Sequence, residues 1–283
     1  MTDFVSPTSL AQAVDVLGKS PEMQPIAGCT DVLVCDLLER SALAPVLDLS
    51  RIPELKGIHR LSEGVEIGAM TTFSELRRSE VIRDLYPALA AAAAVIGGWQ
   101  IQNRATLGGN IVNASPAGDS LPVLLALNAT VVTVGTGGER EVPLDSFYSG
   151  YRQTTLRAGE LVARVRLPMP AAGSRQFFRK VGTREAQAIS KIVVALVARL
   201  EEKMIAEYRL AAGSVAATPV RLVTVEEAVI GQAADTQLAE RAGDLAGRSV
   251  EPIDDVRSTA AYRRFALDRV VRRLTLELVM KRS

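Results

Sequence analysis

The segment Thr106–Ala129, TLGGNIVNASPAGDSLPVLLALNA, restricts what this 283-residue chain can become more than any other stretch. Gly108 and Gly109 remove two successive Cβ atoms, so another backbone or a bulky anion can come close to the main chain. Asn110, Asn113, Ser115 and Ser120 surround them with short hydrogen-bonding side chains. Asp119 or Ser120 is placed to cap a helix with Pro122 in its first turn and Val123, Leu124, Leu125 and Leu127 to bury. Backbone N–H groups at a glycine turn, next to a helix N-terminus, suit a phosphate or diphosphate. Taken alone, the same turn serves equally as a plain connection between two elements.

A second glycine turn lies near the N-terminus. Ser9 can cap a helix in which Leu10, Ala13, Val14 and Leu17 share a face and Gly18 ends the run. Met23–Ala27 then reads as a strand entering Gly28-Cys29-Thr30-Asp31. A second helix with Val32, Leu33, Leu37 and Leu38 follows, and then a strand around Val46–Leu49. Strand, turn, helix and strand in this order predict a small parallel sheet. Gly28 again permits close approach to an anion, but no GxGxxG occurs in the chain, which argues against a Rossmann domain.

The pattern changes after Leu55. Gly57–Leu61 and Val65–Ala69 read as a hairpin across Ser62-Glu63-Gly64, and Thr72 with Glu75 forms a capping box. Val81–Ile96 is expected to be a longer helix with a break near Pro87, closed by Gly97-Gly98. Thr130–Val134 and Arg140–Val142 form a second hairpin, and Leu161–Leu167 is a strand stopped by Pro168 and Pro170. Met169–Gly173 marks the boundary to a third region. There Gln176–Val181, Ile192–Leu200 and Met204–Ala212 predict three strands. Helices follow around Val223–Ile230, Gln237–Leu245 and Ala260–Arg282, the last with Phe265, Val270, Leu274 and Leu278 on one stripe and arginines opposite. The fold class is therefore α+β. Residues 1–170 form one domain, with a small parallel βαβ lobe over about 1–54 and an antiparallel α+β lobe over about 55–170. Residues 174–283 form a smaller α+β domain with a three-stranded sheet and helices.

Composition narrows the function. A net charge of +1 with interspersed signs gives no support to a nucleic-acid or membrane-surface role. MTDFVSPTSL has neither a basic nor an apolar leader region, and the Ala88–Ile96 run is too short to span a bilayer, so a cytoplasmic location without a membrane span is expected. Cys29 and Cys35 are the only cysteines and His59 the only histidine. Such a chain cannot by itself ligate an iron–sulfur cluster or the usual Cys/His zinc site, so no metal-binding residue is expected. His59 sits in an apparent strand-to-turn segment and is expected to be a partly exposed strand residue. With no catalytic side chain singled out, the chemistry falls to an organic cofactor.

The two glycine turns, PIAGCTDVLV and ATLGGNIVNASPAGDS, together resemble the paired FAD-binding motifs of the molybdenum hydroxylase flavoprotein subunits of the xanthine dehydrogenase and carbon monoxide dehydrogenase type. The likeness continues through FYSGYRQTTLRAGELVARVRLP, RKVGTREAQAISK, GSVAATPVRL and STAAYRRFA, and so spans nearly the whole chain. It implies a two-lobed FAD-binding domain with FAD between the lobes. Pro25, Ile26, Ala27, Gly28, Cys29, Thr30, Asp31 and Val32 would be the first FAD loop, and Thr106, Leu107, Gly108, Gly109 and Asn110 the second. Asp119 and Lys180 match charged cofactor-contacting positions, Leu161 and Val162 apolar positions beside the flavin ring, and Ile96 and Gly97 ring-flanking positions. The resemblance further implies a large molybdopterin-binding partner and a small iron–sulfur partner, with electrons leaving through FAD to NAD or another acceptor. The Gly28–Asp31 loop is closer to the xanthine dehydrogenase type. The carbon monoxide branch, another heterocycle or aldehyde hydroxylase, and an FAD-free scaffold subunit are the alternatives.

Three positions depart from that pattern. Cys29 stands where many relatives have glycine, Gln102 replaces a frequently basic residue, and Gln187 stands where relatives often carry an acid near the flavin. Loss of that acid predicts a flavin more easily reduced to its anionic form. Filling the space at Gly109 with valine is expected to abolish FAD retention.

Overall fold

The computed structural model describes residues 4–32 and 45–280. The helix predicted over Leu33, Leu37 and Leu38, Cys35, and the end of the C-terminal helix at Arg282 lie outside the described residues. The chain opens with three short strands, β1 (Phe4–Val5), β2 (Gln24–Ile26) and β3 (Val46–Asp48), which pair in parallel in the order β1-β3-β2. Helix α1 (Leu10–Lys19) crosses between the first two, with Ser9 accepting the Gln12 N–H as cap. Ala13 and Leu17 pack with Leu47, Ile52 and Leu55. The parallel sheet expected from the strand–turn–helix–strand order is present, with β1 as an added edge.

A five-stranded antiparallel sheet follows, built from β4 (Ile58–Leu61), β5 (Gly64–Gly68), β6 (Thr130–Gly135), β7 (Gly138–Pro143) and β10 (Leu161–Pro168) in the order β4-β5-β10-β6-β7. Between β7 and β10 lies a small hairpin, β8 (Tyr148–Gly150) with β9 (Gln153–Thr154). Six helices fill the long excursion between β5 and β6: α2 (Phe73–Arg78), α3 (Glu80–Leu85), α4 (Pro87–Val95), α5 (Trp99–Gln102), α6 (Leu107–Asn113) and α7 (Leu121–Ala126). The capping box at Thr72 and Glu75 starts α2 as expected.

The helix expected over Val81–Ile96 is two helices. Pro87 has no N–H to donate and restricts Tyr86, which sits outside helical geometry. The buried Tyr86 hydroxyl donates instead to the carbonyls of Leu167 and Pro168, tying the break to the end of β10. The glycine pair is also not a turn, because Gly108 and Gly109 lie inside the first turn of α6, capped by Thr106. Neither Asp119 nor Ser120 caps α7 through its side chain, since the Ser120 hydroxyl donates to Asn110 Oδ1 at 2.7 Å and Asp119 is engaged elsewhere.

The last region holds β11 (Arg175–Val181), β12 (Ile192–Glu201), β13 (Met204–Gly213) and β14 (Val220–Arg221) as one antiparallel sheet. It has four strands rather than the expected three. β14 is only two residues long, too short for a period-2 signal, and pairs with β13 through Ala211 and Ala212. Helices α8 (Val223–Val229), α9 (Thr236–Arg248) and α10 (Ala260–Met280) cover one face. On α10 the buried stripe is Leu267, Val271, Leu274 and Leu278, whereas Phe265, expected to be buried, is 55% exposed beneath Arg269. The arginines are not all solvent-facing either, because Arg263 is buried.

Strand β12 fixes how this region sits on the rest. Ile192 to Ala198 are all buried, one side against α8–α10 and the other, through Ala195 and Val197, in the core of the middle lobe. A strand covered on both faces reads as a continuous apolar run, which is the sequence IVVALVA. Arg209 and Arg221 donate to the carbonyls of Ala126 and Leu125 at the end of α7, satisfying backbone acceptors that a helix C-terminus leaves unpaired. Among the described residues, no helix is long and apolar enough to cross a membrane.

Candidate functional site

The three sheets converge on a cleft of about 1620 Å³. Its first wall is the loop leaving β2. Gly28 is pressed against the strand of chain before α6: a Cβ there would stand 1.8 Å from the Arg104 carbonyl oxygen and 2.5 Å from its carbon. Only glycine permits that approach. The next residue, Cys29, has φ 60°, in the left-handed region that usually belongs to glycine. Its thiol faces Ala27 O at 3.7 Å, and burial pushes the thiol pKa up against the pull of Arg104. Among the described residues, the N–H groups of Gly28, Cys29 and Thr30 have no protein acceptor. A left-handed residue inside a run of unpaired amides is how a backbone converges on an anion.

The second wall is α6, and its chemistry differs from the expectation. Leu107 N–H donates to Thr71 O, Gly108 N–H to Ala69 O, Gly109 N–H to Thr106 Oγ1 and Asn110 N–H to Thr106 O. All four amides at the helix start are committed within the protein, so the glycines do not form an amide cradle. Each has its own reason. A Cβ on Gly108 would lie 2.6 Å from Ala69 Cβ, so this glycine lets α6 pack on the corner after β5. A Cβ on Gly109 would meet only its own cap, Thr106 Oγ1, at 2.9 Å, and would otherwise point into open cleft. Any larger side chain at position 109 would therefore enter the cleft.

Pro25 to Val32, Thr106, Gly108, Gly109, Asn110, Asp119, Leu161 and Val162 line the cleft, and Ile96, Gly97 and Gln187 join them. Leu161 and Val162 start β10, where the strand carries a bulge between Val162 and Arg164. Leu161 packs into the core of the first lobe and Val162 into that of the second, so they form a floor where the lobes meet. Leu107 and Lys180 are not on the cleft surface. Leu107 is fully buried in the core. Lys180 Nζ donates to Asp119 Oδ2 at 2.6 Å and to Val95 O at 3.1 Å, just behind Ile96 and Gly97. The other Asp119 oxygen accepts from Ser190 Oγ at 2.5 Å. Burial pushes the Asp119 carboxyl pKa upward, while Lys180 and Ser190 pull against that rise. Asp119 is therefore the visible end of a buried group joining α7, β11 and the loop before β12. Gln102 is buried away from the cleft, its Nε2 donating to Ala94 O. His59 is exposed on β4, as expected.

The wall contributed by the C-terminal region had no signal in residue type alone. Ser190, Ser214, Asp255, Arg257 and Arg263 all reach the cleft. Arg263 is buried, donating to Ser214 O at 2.7 Å and Asp255 Oδ1 at 2.7 Å. Tyr151 and Arg152, at the β8–β9 turn, border the opposite side. Their segment FYSGYR is part of the family likeness, but the place of Arg152 is set by contacts 39 and 121 residues away.

A cleft between a parallel and an antiparallel lobe, with unpaired amides on one wall and open space above a glycine on the other, suits the diphosphate of a dinucleotide, and the residues present fit FAD. Comparison with known proteins agrees. The family model for the FAD-binding domain in molybdopterin dehydrogenase matches residues 1–170, and the model for the CO dehydrogenase flavoprotein C-terminal domain matches residues 177–278. The chain is 32% identical to the glyceraldehyde dehydrogenase medium chain of Sulfolobus acidocaldarius, over 97% of this chain and 95% of that protein. It is 31% identical to the xanthine dehydrogenase FAD-binding subunit of Escherichia coli O157:H7, over 99% and 97%. A solved carbon monoxide dehydrogenase chain from Hydrogenophaga pseudoflava superposes with a TM-score of 0.92 at 31% identity, covering 96% of this chain and 95% of that one. The protein belongs to the FAD-binding medium-subunit family of the molybdenum hydroxylases, and is an oxidoreductase flavoprotein component.

Proposed function

We propose that this chain is the electron-transfer subunit of a multi-subunit molybdenum hydroxylase, taking electrons from iron–sulfur clusters on a small partner and delivering them to NAD or another acceptor. The large partner, carrying molybdopterin, oxidises the substrate. The observation that supports this reading is the cleft itself, whose two glycine-bearing walls suit a dinucleotide cofactor and, among the described residues, offer no side-chain constellation for oxidising a substrate directly. FAD, when bound, supplies two-electron storage and exchange with both one- and two-electron partners. The chain's residues bind and orient it. The Gly28–Thr30 amides receive the diphosphate, Gly109 leaves room for it, and Leu161 and Val162 shield the ring floor from water. Asp119, held by Lys180 and Ser190, keeps the C-terminal wall in register with the two lobes.

The cleft continues past its two jaws, the Gly28 loop and α6, to the wall of Ser214, Ala217 and Arg257. That extension supports access by a separate electron acceptor. The xanthine-type preference of the Gly28–Asp31 loop is not strengthened by overall similarity, since relatives named for glyceraldehyde, xanthine and carbon monoxide match at 32%, 31% and 31% identity. The substrate is bound on another chain, so residues here need not track it.

The test is reduction of the assembled complex. With the large and small partners present, candidate substrates (a purine, an aldehyde, carbon monoxide) are expected to bleach the flavin absorbance. The isolated FAD-loaded chain should not respond to them. A flavin that stays oxidised while the substrate reduces the iron–sulfur clusters of the same complex would rule out the proposed route. A chain that never retains added FAD would instead favour the scaffold alternative.

A further inference from the structure

We propose that Arg152 is a diphosphate-binding residue, its guanidinium placed between the two jaws to supply charge that the amides of α6 cannot. The inference rests on the FAD role of the cleft and adds a residue to it.

Position comes first. Arg152 lies in the turn of the β8–β9 hairpin, on the cleft surface. Its Nη1 donates to Asn113 Oδ1 at 2.7 Å, one helical turn beyond Asn110 in α6. The same nitrogen lies 3.4 Å from Asp31 Oδ2 in the first loop. Nη1 makes both contacts and the neighbouring Tyr151 side chain also engages the guanidinium, which carries five donors in a fork suited to phosphate oxygens.

Charge points the same way. Three acids line the cleft around the jaws: Asp31, Asp119 and Glu160. Asp119 is answered by Lys180 and Glu160 by Arg140, neither of which is on the cleft surface. Among the described residues, the other cations on the cleft surface are Arg257 and Arg263, which belong to the C-terminal wall, where both pair with Asp255. An anionic diphosphate arriving beside Asp31 therefore meets Arg152 as its cation. The helix-start amides of α6 are already bonded within the protein, so the second jaw offers no backbone substitute.

The backbone supplies the third observation. Arg152 has φ 52°, in the left-handed region where a turn ordinarily uses glycine. A long cation kept in that conformation points to a side chain with a task.

The unusual φ also provides the test. Arg152→Gly removes the guanidinium while relieving the backbone, and Arg152→Lys keeps the charge without the fork. FAD affinity of the full chain is measured by flavin fluorescence at low and high salt, with ADP as a competing ligand and the unfolding temperature of the FAD-free protein as control. Arg152→Gly is expected to raise the Kd for FAD and ADP about 10- to 100-fold at low salt, the range of a charge-assisted hydrogen bond. It should flatten the salt dependence and leave the unfolding temperature unchanged or higher. Arg152→Lys should recover part of the affinity and most of the salt dependence. Wild-type affinity in Arg152→Gly would overturn the proposal. So would equal losses in both variants with an unchanged salt dependence, the pattern of a brace acting only through Asn113. If the wild-type chain bound neither FAD nor ADP, the cofactor reading itself would fall, and this inference with it.

Discussion

Replacing Gly109 separates the fold from the cofactor. A Cβ at this position meets only Thr106 Oγ1, 2.9 Å away, and the rest of its surroundings is cleft. In Gly109→Ala the helix gains about 0.5–1 kcal/mol, because alanine loses less backbone freedom on folding than glycine. Crowding the Thr106 cap costs about 1 kcal/mol. The two nearly cancel, so the FAD-free protein should unfold within about 3 °C of wild type. FAD is affected differently. A methyl group where the diphosphate must approach displaces it from the opposing Gly28–Thr30 amides, and each charge-assisted hydrogen bond lost is worth about 1.5–3 kcal/mol. Loss of two raises the Kd at least about 100-fold. Gly109→Val adds bulk at the same point and should leave the purified chain colourless. Fluorescence titration with FAD, beside thermal unfolding of the FAD-free protein, reads both quantities. A folded Gly109→Ala chain with a Kd within about threefold of wild type would show that no ligand group occupies this space.

Other residues make separate predictions. Asp119→Ala leaves Lys180 buried with only the Val95 carbonyl, and should destabilise the protein by about 3–5 kcal/mol in urea unfolding. Pairing it with Lys180→Met should recover part of that loss, and a double variant no better than the single one would count against the ion pair. Gln187→Asp puts a negative charge on the cleft wall and should lower the flavin midpoint in spectroelectrochemical titration, whereas an unmoved midpoint would remove Gln187 from potential tuning. Burial tends to raise the Asp255 pKa, but the N–H groups of Arg257 and Ser258 and the Arg263 guanidinium outweigh it and hold the carboxyl down at about 2. A depressed carboxyl stabilises the fold above its unfolded pKa near 3.8 and loses that contribution as the pH falls towards 2. Asp255→Asn should therefore flatten the acid limb of stability against pH, and an identical limb in the variant would refute the assignment.

Much of the architecture was legible because it follows local rules. The Ser9 and Thr72 caps, the parallel unit around Gly28 and the hairpins at Ser62–Gly64 and Gly135–Gly138 each depend on residues a few positions apart. Where the expectation failed, the cause was non-local or too short to leave a pattern. Strand β14 is two residues long. Helical spacing alone places the Phe265 ring in the core, yet the buried stripe of α10 runs through Leu267, Val271 and Leu274, because the orientation of the helix is set by the sheet beneath it.

The glycine pair at 108–109 shows the division most clearly. Sequence alone determined that two side chains had to be absent there, that small polar groups surround them, and that a buried helix follows. Only tertiary structure decided that the two absences do different work. A Cβ at Gly108 would strike Ala69, whereas one at Gly109 would enter the cleft. The folded chain likewise sends the amides of α6 inward to Thr71, Ala69 and Thr106, whereas the Gly28–Thr30 amides, nearly eighty residues earlier in the chain, have no acceptor among the described residues. Residue type fixes which bonds a group can make. Which partner it meets depends on packing between segments far apart in sequence, and that packing brought Lys180 to Asp119 and Arg152 to both jaws.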